Sequence, residues 1–133
     1  MDLPVSTSEA STRGVRVHVT SRYSEDHSRP QAGEWFFTYT IEITNEGADT
    51  VQLLSRHWVI TDANGKVEEV RGPGVIGVQP VLPPGERFVY TSFCPLRTSF
   101  GTMQGTYQMV TGDGATFDAE IAPFALSTPY AIN

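Results

Sequence analysis

Three features of this sequence predict an all-β fold, a sandwich of about seven or eight short antiparallel strands. Apolar and polar residues alternate over several runs, the period of two that a half-buried strand requires. Glycine, proline and Asn-Gly turn signals separate those runs at regular intervals. Nowhere do apolar residues keep helical spacing long enough for an amphipathic helix, and β-branched and aromatic residues dominate. The 133 residues suit one domain, large enough to bury a core without disulfide or metal.

Met1–Thr12 is Ser/Thr-rich with Pro4 and reads as a flexible N-terminal tail, leaving residues 13–133 as the domain. Val15, Val17 and Val19 alternate with Arg16, His18 and Thr20 in a first strand. Tyr23–Gly33 is polar, holds Pro30 and Gly33, and reads as a loop. Glu34–Asn45 is the strongest strand: Trp35, Phe37, Tyr39, Ile41 and Ile43 share one face, and Phe36, Thr38, Thr40, Glu42 and Thr44 the other. Thr50–Thr61 is β-rich, and the Asn64-Gly65 turn folds Val67–Arg71 back on it. After the glycine- and proline-rich Gly72–Gly85 comes a strand at Arg87–Phe93, then an irregular connection from Cys94 to Gly105. Tyr107–Thr111 and Ala115–Phe124 pair through Gly112-Asp113-Gly114, and Pro123 and Pro129 close the last strand. The hairpin order suits a fibronectin type III or immunoglobulin-like topology. Trp35, Tyr39, Ile41, Trp58 and Tyr107 are the expected core.

The formal net charge is −6, Lys66 is the only lysine, and the arginines are scattered singly. No basic stripe matches a phosphate backbone, which disfavours nucleic-acid binding. Cys94 is the lone cysteine, excluding an internal disulfide framework or a Cys-cluster metal site, and it reads as a small buried hydrophobe. No apolar run reaches the roughly 20 residues of a membrane span, and no secretory signal pattern opens the chain, so a cytoplasmic location is expected.

Gly72-Pro73-Gly74-Val75-Ile76-Gly77 fits GxGxxG, the dinucleotide-binding fingerprint. That use needs a helix after Gly77, and Pro80, Pro83 and Pro84 forbid one. The glycines then supply positive φ or close backbone approach. Alternatively, they form an anion nest of amides beside Arg71, which makes Arg71, Gly72, Gly74 and Gly77 the candidate anion- or partner-binding loop. Ser55 and His57 stand two apart on one strand, roughly 6.5 to 7 Å, too far for a nucleophile and its base. Glu25-Asp26-His27 gathers metal-ligand types, but adjacent loop residues cannot all point inward. Catalytic residues, a metal and a cofactor are therefore not expected. Phe36, on the threonine-lined strand face, is either covered by a neighbouring loop or part of an exposed patch that recruits a partner.

Residues 51–86, 90–96, 101–110 and 117–127 together resemble the ApaG family, and the likeness spans about residues 13–132. The family's loop glycines correspond to Gly72, Gly74 and Gly77, whereas Val78 replaces a common Glu and Phe93-Cys94 a usual pair of small residues. The resemblance implies a fibronectin type III-like sandwich and no particular reaction. It also implies a link to cobalt tolerance and magnesium efflux in bacteria, gene neighbourhoods of diadenosine tetraphosphate hydrolysis, and eukaryotic relatives in which the domain is attached to F-box and polymerase-interacting proteins. The expected function is a cytoplasmic, non-enzymatic module that binds a protein partner. The alternative is a regulator that binds a phosphate-bearing metabolite or a divalent cation.

Overall fold

The computed structural model describes residues 5–129. Nine strands run β1 (Val5–Thr12), β2 (Val15–Tyr23), β3 (Trp35–Asn45), β4 (Val51–Asp62), β5 (Val67–Pro73), β6 (Val81–Leu82), β7 (Arg87–Leu96), β8 (Phe100–Thr111) and β9 (Thr116–Ser127). One sheet has the order β1-β2-β3-β7; the other has β5-β4-β8-β9, with β6 also on β4. Without β1 and β6 this is the strand order of a fibronectin type III sandwich. Every ladder within the sheets is antiparallel. Two short 3-10 turns, Glu25–His27 and Pro30–Ala32, are the helical elements among the described residues. None is long and apolar enough to cross a membrane.

Alternation builds the core as the sequence dictates. Val15, Val17 and Val19 face Ile43, Ile41 and the neighbouring inward positions of β3, and all are buried. Trp58 stands at the centre of an aromatic cluster, with ring centroids 5.5 Å from Tyr39, 6.0 Å from Phe124 and 6.4 Å from Tyr107. Tyr39, Ile41, Trp58 and Tyr107 are buried as expected. Trp35 is not: it opens β3 opposite Leu96 at the end of the ladder and is only half-buried against the core.

Three sequence expectations are corrected. Residues 5–12 of the predicted tail form β1, paired in full with β2; residues 1–4 lie outside the described residues, as do 130–133. The hydroxyls that suggested a tail also tie this strand to the facing sheet. Ser8 Oγ donates to the Ala122 carbonyl (2.8 Å), and Thr12 Oγ1 accepts from the Glu120 amide (3.0 Å). From β2, Ser21 Oγ donates to the Ala125 carbonyl (2.6 Å). These bonds tie β1 and β2 to β9 and close that side of the sandwich. The connection expected from Cys94 to Gly105 is instead largely strand: β7 runs to Leu96 and β8 starts at Phe100. The last strand, too, passes through Pro123 to Ser127, because β9 is an edge and a proline there forfeits no ladder bond.

Candidate functional site

The opposite side of the sandwich is open. There β7 ends one sheet and β5 the other, and a cleft of about 370 Å³ lies between them. Tyr39, Trp58 and Tyr90 line its depth, Ser92, Cys94 and Pro95 its β7 side, Ile60, Glu68 and Val70 its far wall, and Val75 and Ile76 its lip.

The lip is the glycine hexapeptide. β5 and β6 pair with the same edge of β4, and residues 74–80 make an excursion between them. Both ends of the excursion are stitched down. The Gly74 amide donates to the Leu54 carbonyl (2.8 Å), the Leu53 amide to Pro80 (3.0 Å), and Gln79 Nε2 to Leu54 (2.9 Å). Leu54 is also where the β4–β8 register shifts, so a bulge in β4 faces the excursion. The tip is a tight turn in which the amides of Val75 and Val78 each donate to the other's carbonyl (2.9 Å). Positive φ at Ile76 (41°) and Gly77 (82°) gives it the I′ geometry. Gly74 is buried at φ +58°, and a Cβ there would lie 2.2 Å from the Val78 carbonyl oxygen.

These bonds weigh against an anion nest. Gly72 is held in the ladder opposite Arg56, and the Gly74, Val75 and Val78 amides already have carbonyl partners. Arg71 is exposed and stands 3.8 Å from Glu69, on the outer face of β5. The arginine that engages the loop is Arg56, which the sequence reading passed over. Its Nη1 donates to the carbonyls of Pro73 and Gly74, both at 3.0 Å. Its guanidinium lies against Gly72 so closely that a Cβ there would meet it at 2.9 Å. The Asn64-Gly65 turn sets the hairpin register that puts Gly72 across from Arg56, and that register was the available signal.

Ser55 and His57 do not form a pair. Ser55 Oγ donates to Gln108 Oε1 (2.8 Å), and His57 Nε2 lies 2.7 Å from Glu69 Oε1. Glu25, Asp26 and His27 form a 3-10 turn in which His27 Nδ1 bonds Ser24 Oγ (2.8 Å). Among the described residues no three His, Cys, Asp or Glu side chains gather as metal ligands. Burial pushes the Cys94 thiol up to about 12, reinforced by the charge of Glu68, so it stays protonated at neutral pH. Burial also raises Tyr39, Tyr90 and Tyr107, which remain phenols. Tyr90 and Tyr107 hydrogen-bond through their hydroxyls, linking β7 to β8 across the core. The cleft thus offers a floor of uncharged aromatic rings, with Arg56 and Glu68 as its charged wall residues.

On the outer face of β7 the surface is apolar as well. Phe93 is 63% exposed and Val89 49%. Phe36 packs beside Phe93 (6.0 Å) and His27 (6.5 Å), making a hollow of about 150 Å³. Phe36 is thus both partly covered by the 3-10 turn and part of a surface patch.

An antiparallel sandwich closed at β1/β9 and open at β7/β5, with a buried aromatic floor behind a glycine lip, defines the class. A family model described as the ApaG domain matches residues 25–111. Protein ApaG of Methylobacterium sp. (strain 4-46) is 57% identical over 92% of this chain and 94% of its own length. Protein ApaG of Anaeromyxobacter dehalogenans is 52% identical over 95% and 99%. The crystal structure of an ApaA protein from Bordetella pertussis superposes with a TM-score of 0.85 at 50% identity, covering 87% of this chain and 94% of that one. The chain belongs to the ApaG family. The C-terminal domain of wzt, at TM-score 0.55 and 10% identity, shares the fold alone.

Proposed function

We propose that this chain is a cytoplasmic, non-enzymatic interaction module that binds a protein partner along its open side. The observation that carries this reading is the cleft of about 370 Å³ between the β7 and β5 edges, walled largely by apolar and aromatic groups. Next to it, Ile76 (60% exposed) and Phe93 project apolar surface that folding leaves uncovered. The side chains that could have served chemistry are otherwise engaged: His57 with Glu69, Ser55 with Gln108, and Cys94 as a buried thiol. A phosphate-bearing metabolite at the glycine loop would depend chiefly on Arg71, since Gly74, Val75 and Val78 have committed their amides.

The test is site-specific photo-cross-linking in cells from position 76, with position 113 in the β8–β9 turn as the control. A discrete protein adduct at 76 and none at 113 is the expected result. Equal labelling at both positions, or none at 76, refutes the reading.

A further inference from the structure

The two strands that border the cleft differ as templates for another chain. In β7 the amide of Asn45 bonds the Glu86 carbonyl, and the antiparallel register continues from Thr44–Arg87 to Trp35–Leu96. Alternation of bonded pairs then directs the N–H and C=O groups of Val89, Thr91 and Phe93 away from β3. Pro95 occupies the next such position, where its missing N–H is no loss to the sheet. Among the described residues nothing pairs with that edge. From Phe88 to Leu96 the strand carries no charge, whereas β5 carries Glu68, Glu69 and Arg71. Charge is the usual protection of a free edge, and β7 lacks it beyond Arg87.

We propose that β7 receives an extended, uncharged segment of a partner protein as an added strand, and that one large apolar side chain of that segment enters the cleft. This rests on the interaction-module reading and names its mode. A strand of about five residues would satisfy Val89, Thr91 and Phe93. Its inward side chains would lie beside Tyr90, Ser92 and Cys94 and point between the sheets, into the cleft those residues line. Its outward side chains would pair with exposed Val89 and Phe93, an arrangement favourable for β-branched and aromatic residues. A charged residue at the centre would be desolvated with no counter-charge on β7 between Phe88 and Leu96. A second copy of the chain is a poorer occupant. Its own Tyr90 and Cys94, buried in its core, could not fill the cavity opposite.

The experiment selects phage-displayed random dodecapeptides on the folded wild-type chain and measures the enriched peptides by NMR. Expected are sequences with an uncharged alternating stretch and one large apolar residue. On binding, the Val89, Thr91 and Phe93 amides should become protected from exchange. Thr91→Pro removes an edge donor, and Val89→Lys adds a charge on an exposed site that folding does not need. Each should weaken binding roughly tenfold or more, the worth of a hydrogen bond or two with a cross-strand pair. Three results overturn the proposal: no such enrichment, protection confined to β5 or Gly72–Gly77, or unchanged affinity in Val89→Lys. A wild-type dimer in sedimentation that Val89→Lys dissociates also overturns it, assigning the edge to a second copy. If the position-76 adduct forms while these signatures fail, the interaction-module reading stands and the strand-addition mode falls.

Discussion

The two sides of this sandwich solve the same problem in opposite ways. At β1/β9 the outermost carbonyls and amides of β9 are bonded by serine and threonine hydroxyls from the facing sheet, and the layers close. At β7/β5, among the described residues, no serine or threonine hydroxyl ties one edge strand to the other; a glycine-rich excursion leans over the gap, and an arginine braces it from behind. The closed side spends polar side chains on stability, and the open side keeps backbone and aromatic surface available. Function is thus read from what folding leaves unpaired.

The sharpest challenge to that contrast is Trp58→Ala. This side chain touches Phe124 of the closed side and also lines the cleft, so truncation should cost about 3–5 kcal/mol in urea unfolding. A loss below about 1 kcal/mol would mean the two sides do not share a core. Gly74→Ala comes next. A left-handed residue pressed onto the Val78 carbonyl should cost about 1–3 kcal/mol or more, with the damage confined to the open side by amide chemical shifts. Ser21→Ala, on the closed side, leaves the Ala125 carbonyl without its hydroxyl and should cost about 1–2 kcal/mol.

Alkaline pH probes the open side selectively. The Cys94 thiol ordinarily ionises at 9.0 and does so at about 12 when folded. Between these values the unfolded chain has lost a proton that the folded chain retains, so stability is intact below pH 9.0 and falls as pH rises toward 12. Tyr39, Tyr90 and Tyr107 act in the same direction. Unfolding midpoints measured across this range should decline less steeply in Cys94→Ala than in the wild type. The smallest effect belongs to the free edge itself: Val89→Lys should change stability by less than about 0.5 kcal/mol, because the site is exposed.

Strands β3 and β4 were legible because buried alternation and turn residues coincide there. β1 was not, since serine and threonine signal a strand only once their hydroxyls find distant carbonyls. The start of β8 was hidden by Gly101 and Gly105, read as loop residues. Gly105 is glycine because β4 runs against it: a Cβ would lie 2.0 Å from the His57 carbonyl oxygen. At the site, the loop glycines were legible and their use was not. Their amides turn inward to carbonyls, a pattern set by the bulge at Leu54, which no local motif announces.

The Tyr90–Tyr107 hydroxyl pair has one more consequence. It works as a strut between the layers just behind the vacant margin, so that margin resists swinging outward. Whatever arrives there meets a slot already in shape and loses little freedom in ordering it, which favours rapid capture even where the final hold is modest.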